Sequence, residues 1–243
     1  MSRHTSSCAQ IAAVARDIST APPDTSATAL DQLLARSTPI IAAADYAAVT
    51  IVERREHTAT PAATHEHPRT LDAIAQKQCE GPAFVIAGHL DTFYIPDLYS
   101  DSRWPVFRAD AAAQTPIRSI AAFGLFTTRD SVAALSLYAD SADAFDADTL
   151  DLGAVLAAQA AMVCKAMQRA EQFRCALAHR DIIGQAKGML MERFDLDAEH
   201  AFALLRKLSQ DTNIRVYDAA SKLIEIDHPI RSGHIHDVPG QAP

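Results

Sequence analysis

Cysteine is scarce in this chain of 243 residues: Cys8, Cys79, Cys164 and Cys175 form neither a C-x-x-C pair nor a metal-finger spacing. Reduced, mostly buried thiols are therefore expected, with a redox role for Cys164 and Cys175 as the alternative. Positive charge is also in short supply, since 22 Lys and Arg stand against 30 Asp and Glu, a formal net charge of −8. That balance argues against a broadly basic surface for nucleic acid or anionic lipid, so any anion binding must be local. No apolar run reaches the roughly 18 residues that a bilayer-spanning helix needs. The amino terminus, "MSRHTSSCAQIAAVARDISTAPP", has only a short alanine-rich stretch broken by Arg16 and Asp17, a poor secretory signal. The expectation is a cytoplasmic chain without a membrane segment. No nucleophile motif, phosphate-cradling glycine loop or metalloprotease pattern occurs, so no catalysis is expected. The 10 histidines do not change this. "HTATPAATHEH" (57 to 67) reads as a Pro- and Ala-rich loop and "HPIRSGHIHDVPGQAP" (228 to 243) as a disordered tail, and neither has the paired spacing of a zinc site.

What is present divides the chain in two. Residues 10 to 19 and 28 to 44 show helical spacing on either side of the breaker "APPD". "YAAVTIVE" (46 to 53), "SIAAFGLFT" (119 to 127) and "VAALSLYA" (132 to 139) read as strands, the last two joined as a hairpin through "TRDS". Helices at 69 to 78 and near 104 to 113, with an irregular apolar region at 83 to 99, complete an α+β domain on an antiparallel sheet flanked by helices. In "DSRWP", Trp104 covers core and Pro105 opens the following helix.

From Asp148 onward no strand signal remains. Leu152, Leu156, Gln159, Val163, Ala166, Ala170, Phe173 and Leu177 alternate steps of four and three, the seam of a two-stranded coil. Its first half has two available covers, the chain's own sheet or a second copy; the second half reaches past the sheet domain and calls for a partner helix. Three helical segments follow. The first, about 179 to 194, places Ile182, Ile183, Ala186, Leu190 and Phe194 on one stripe; the second opens at Asp197 and buries Ala201, Leu204, Leu205 and Leu208; the third opens at Asn213 and buries Val216, Ala220 and Leu223. Short connections make them a compact bundle.

Here the residues become specific. "QAKGMLMERF", "AFALLRKLSQDTN" and "RVYDAASKL" together resemble the ANTAR domain, a three-helix output module of bacterial transcription antitermination regulators, from about His179 to Ile226. Upstream, "EGP" (80 to 82), "IPDLYSD-x-RWPVF" (95 to 107) and "ALSLYADSADAFDADTL" (134 to 150) resemble the GAF sensor domain that precedes ANTAR in many actinobacterial regulators. The expected layout is an amino-terminal helical segment (1–27), a GAF-like sensor domain (28–150), a connecting coiled-coil helix (151–178), an all-α three-helix ANTAR bundle (179–227) and a disordered tail (228–243).

The resemblance implies RNA binding: ANTAR dimers hold paired hairpin loops of a leader transcript, stopping a terminator or altering access to a ribosome site. Unpaired loop bases can be read by stacking and edge contacts. A GAF domain supplies the input, with a small-molecule ligand of unspecified identity. Candidate RNA-binding residues are Arg180 and Lys187, which share a helix face, Gly188 beside them, Arg206 with Lys207, and Arg215 with Lys222. Candidate dimer-coil residues are Leu156, Val163, Ala170, Phe173 and Leu177. Against this, residues 179–227 hold seven Lys or Arg and nine Asp or Glu, an unusual balance for a nucleic-acid module.

Gly184 and Gly188 sit one turn apart in an otherwise helical stretch, where each costs roughly 1 kcal/mol relative to alanine. They lie away from Ile183 and Leu190, so the bundle core does not explain them; an RNA backbone or a second helix approaching the peptide groups does. RNA contact is assigned to Gly188 and helix contact to Gly184, seven residues after Leu177. Tyr217 stands where relatives carry a basic residue and either stacks on a loop base or covers the bundle edge. "EGPAFVI" lacks the cysteine that many relatives have after "GP". A protein-interaction module is the rival reading, and a duplex-DNA regulator would want a more basic recognition helix.

Overall fold

The computed structural model describes residues 2–20, 26–54, 57–86 and 92–227. The "APPD" breaker and the tail from residue 228 lie outside them. The chain divides into two compact units, Met1–Met167 and Gln168–Pro243.

The first unit opens with helices α1 (Ser2–Thr20) and α2 (Ser26–Ser37) and a short 3-10 turn, Thr38–Ile40. Strands β1 (Tyr46–Glu53) and β2 (His57–Ala63) follow, then α3 (Glu66–Gln78), α4 (Pro82–Ile86), β3 (Phe93–Ile95), α5 (Pro105–Gln114), β4 (Ser119–Thr127) and β5 (Ser131–Ala139). The strands form one antiparallel sheet in the order β2-β1-β5-β4-β3. β4 and β5 are the expected hairpin, closed by Thr128 N–H donating to the Ser131 carbonyl at 2.7 Å.

Both sheet faces are covered. On one, Ile11, Leu30, Leu33 and Leu34 from α1 and α2 meet Val49, Phe123, Leu135 and Leu137 of the strands. On the other, Leu71, Ile74 and Ala75 of α3 and Phe107 and Ala111 of α5 pack on Ala48, Ile120 and Tyr138. Glu80 secures α5 there, accepting from the Phe107 N–H at 2.7 Å through Oε1. Trp104 is buried and Pro105 occupies the first turn of α5, as expected.

Several expectations change. "HTATPAATHEH" is no loop over its first seven residues but strand β2; it lies at the sheet edge, where Pro61 withholds no required ladder bond. The cysteines are free but not mostly buried, since only Cys164 is, while Cys79 and Cys175 are exposed. Connecting helix and first bundle helix are one element: α6 runs from Ala147 to Phe194 without interruption, and "LAHRDII" contains neither proline nor glycine to stop it.

α6 also corrects the hydropathy expectation, since it is long and apolar enough to cross a bilayer by length and composition alone. Its first third has another use. Leu156, Ala160 and Cys164 are buried in the same core as Phe123 and Leu137. At Gly153 the approach is so close that a Cβ would lie 2.6 Å from Phe123 Cε2 and 3.1 Å from Leu137 Cδ1.

In the second unit the end of α6 is joined by α7 (Ala198–Thr212) and α8 (Val216–Asp227). Asp197 caps α7 as expected, its side chain accepting from the N–H groups of Glu199 and His200. Asn213 does not open α8; it ends α7 in the left-handed conformation (φ 51°), a role asparagine fills nearly as readily as an N-cap. The core comprises Ala186, Leu190, Ala201, Leu205, Ala219 and Ala220. Four alanines among six residues let the helix axes come close. Phe194 and Leu208, expected inside, are 55% and 39% exposed, and Ser209 is buried in their stead, its hydroxyl donating to the Ile214 carbonyl at 2.6 Å.

Candidate nucleic-acid interface

The first helix of the bundle presents two distinct sides. Ala186 and Leu190 are buried, with Ile182 and Ile183 packed beside them. Arg180, Gly184, Lys187 and Gly188 fall within an arc of about 100° outside that stripe, with Lys187 at its border, as 3.6 residues per turn requires. Arg180, Gly184 and Gly188 are exposed and Lys187 is half-buried. A Cβ built on Gly184 or Gly188 meets nothing within 4 Å. The strip beside the two cations is thus bare backbone facing open space.

Arg206 and Lys207 are exposed on α7 and, being consecutive, point about 100° apart, Arg206 on one flank of the stripe formed by Ala201, Leu205 and Ser209 and Lys207 on the side away from it. Arg215, directly before α8, and Lys222 are exposed on one side of that helix. Some arginines elsewhere engage carboxylates, Arg36 with Asp17 at 2.9 Å, Arg118 with Asp97 at 2.8 Å, and Arg103 with Asp101. Among the described residues none of Arg180, Lys187, Arg206, Lys207, Arg215 and Lys222 makes an ion pair or a side-chain hydrogen bond. These six cations are uncommitted, which is the state a phosphate-binding side chain needs.

Tyr217 is different. Its ring lies on that of His179, with centroids 4.0 Å apart at 37°. His179 continues the stripe of Ile182, Ile183 and Ala186, so the pair closes the edge of the bundle between α6 and α8. Of the two roles open from sequence, edge cover is the one the contact supports.

The proposed coil residues separate into two groups. Leu156 is fully buried in the core of its own sheet domain, so it is not available to a second chain, and Val163, half-buried, packs against the same core. This corrects their place on the seam: the sheet face satisfies them first. Every residue from Gln168 to Asp181 is exposed, Ala170 among them, with Phe173 at 73% and Leu177 at 49%. A helical segment this long with two large apolar side chains in water is expected to find cover.

The sheet domain holds a cavity of about 20 Å³, enough for one water molecule, between β1, β5 and helices α3 and α4. Asp72 lines it, with Thr50, Ser136 and Tyr138. Thr50 and Thr60 each donate to Asp72 Oδ2 at 2.7 Å. Burial pushes the Asp72 carboxyl up to about 6 despite these bonds and the Arg69 guanidinium, and burial with the Asp72 charge raises the Tyr138 phenol far above its ordinary value. One signal marks Asp72 in the sequence: position 72 falls inside the buried stripe Leu71, Ile74 and Ala75, where a carboxylate is out of place.

With this geometry in hand, comparison with known proteins adds a family. Residues 171–224 match the ANTAR domain. Against solved structures, the chain is similar to the GAF domain of an Acinetobacter phosphoenolpyruvate-protein phosphotransferase (TM-score 0.50, 11% identity, 66% of this chain and 93% of that one). It is also similar to the N-acylhomoserine lactone dependent LuxR family factor CepR2 of Burkholderia cenocepacia (TM-score 0.50, 15% identity, 68% and 94%). A third similar structure is the bacteriophytochrome RpBphP3 of R. palustris (TM-score 0.51, 12% identity, 89% and 45%). No match to a curated protein is found. The carboxy-terminal bundle is therefore an ANTAR domain, of a family that binds RNA, behind a domain with the GAF fold.

Proposed function

We propose that the protein is a cytoplasmic, non-catalytic, homodimeric regulator in which the ANTAR bundle grips hairpin loops of leader transcripts and the GAF-like domain sets when it does so. Control operates by transcription antitermination or by access to a ribosome site. The observation that carries the reading is the uncommitted state of Arg180, Lys187, Arg206, Lys207, Arg215 and Lys222 within the matched module, beside two glycines whose missing side chains leave the backbone open. The acidic balance of the bundle does not oppose this, because phosphate contacts depend on the local field of a few cations. Ala170, Phe173 and Leu177 on the exposed stretch of α6 supply the contact between two copies, and Gly184 continues the same seven-residue step. A signal that favours one arrangement of that contact shifts the population of RNA-competent dimers.

The test is a binding titration with RNA carrying two paired hairpins, the same RNA with scrambled loops, and duplex DNA. The account expects tight binding to the first only. Equal affinity for all three contradicts loop recognition, and no binding to any, with capture of a protein partner through the bundle, favours an interaction module.

A further inference from the structure

The sheet domain places a carboxylate where water is nearly excluded and no cation touches it. Asp72 is 6% exposed, and its hydroxyl partners Thr50 and Thr60 both donate to the same oxygen, Oδ2. Among the described residues no donor meets Oδ1, the oxygen that keeps contact with solvent. Arg69, on the same helix, donates to the Thr60 carbonyl and lies 3.9 Å from Glu66, so its charge reaches Asp72 only through space. Tyr138, across on β5, is the other titratable group coupled to Asp72. A buried carboxylate without an ion-pair partner is unfavourable, and a cation delivered by a ligand relieves it. The remaining surroundings fit such a ligand: Thr50, Ser136 and Tyr138 supply oxygens, while Leu71 and Phe107 supply apolar wall.

We propose that the cavity beside Asp72 binds a small organic cation, a primary amine or amidine with a short apolar body, using Asp72 as its counter-charge. The proposal rests on reading the sheet domain as the sensing half, and it gives that half a ligand class. The space present admits only the charged head, so the apolar body enters by displacing side chains around α4, a helix of five residues. Carboxylate and phosphate ligands are rejected by the same charge.

Trp104, the one tryptophan of the chain, reports on the site, since its ring centroid is 6.4 Å from that of Phe107. The test titrates the full-length protein with n-butylammonium chloride and with sodium butyrate at matched ionic strength, following tryptophan emission. The expected result is a saturable change with butylammonium at about pH 7.5 and none with butyrate, with affinity at least roughly tenfold weaker in Asp72→Asn, the loss of a desolvated charge contact. The wild-type affinity should fall likewise as pH drops below about 6, where Asp72 takes up a proton. That titration decides the matter should the variant lose its thermal transition. Equal responses to amine and carboxylate, no saturable response, or pH-independent binding overturns the proposal. Because the readout involves no RNA, failure here leaves RNA binding standing, and failure of RNA binding leaves the cavity's ligand standing.

Discussion

The three glycines of α6 make a test with opposite expected signs in one helix. At Gly184 and Gly188 an added Cβ meets nothing within 4 Å. Alanine at either position should therefore raise the stability of the bundle by about 0.5–1 kcal/mol, the helix-propensity difference with no packing penalty. At Gly153 the same substitution drives a methyl into the ring of Phe123, itself 3% exposed, and against Leu137. Overpacking of this kind costs about 1–3 kcal/mol, which outweighs or cancels the propensity gain. Gly153→Ala should thus unfold at equal or lower denaturant, while Gly184→Ala and Gly188→Ala unfold at higher denaturant, all three retaining full helicity by circular dichroism. Function should run the other way. If bare backbone at Gly188 is where RNA comes close, Gly188→Ala binds hairpin RNA more weakly while being more stable; Gly184→Ala weakens the dimer. More stable variants with unchanged RNA affinity and unchanged dimerisation would refute the idea that these glycines serve close approach.

Asp72 makes stability depend on pH in a particular direction. Its folded value, about 6, is above the unfolded value of 3.8, so the native state holds the extra proton between them and stability declines as pH rises through that window. At about 1.4 kcal/mol per pH unit the decline is at most roughly 3 kcal/mol. Denaturant unfolding at several pH values should show that component in the wild type and its absence in Asp72→Asn. Leu156→Ala, emptying a fully buried site in its own sheet domain, should cost about 2–5 kcal/mol of stability. Phe173→Glu and Leu177→Glu should instead leave the unfolding transition in place and shift sedimentation toward the monomer. Asp197→Ala, removing the acceptor for two N–H groups at the start of α7, should lower the thermal midpoint of the bundle.

How much of this was legible beforehand depended on whether a segment announces its own burial. β1, β4 and β5 were readable because each is a short apolar run that packs on both faces, as the inner strands of a covered sheet must. β2 was not, because an edge strand with proline, threonine and alanine carries neither the alternation nor the hydrophobicity of an inner one. Asn213 has a side chain that suits both an N-cap and a left-handed C-cap, and only the chain path decides between them. For the seam on α6, heptad spacing marks an apolar stripe but not its cover; Leu156 and Val163 were taken by the sheet, whereas Phe173 and Leu177 were left in water. The cations of the bundle were named from sequence, yet their freedom from ion pairs was not readable there, since nine carboxylates compete for them within 179–227.

The most direct measurement is the salt dependence of hairpin RNA binding by the wild type and by Arg180→Ala, Lys187→Ala and Arg215→Ala. Each phosphate contact to a single strand contributes about 0.7 to the slope of log affinity against log salt. The account predicts that every substitution weakens binding and flattens the slope by about that amount, with the fold unchanged. Variants that bind with wild-type affinity and an unaltered slope would contradict it.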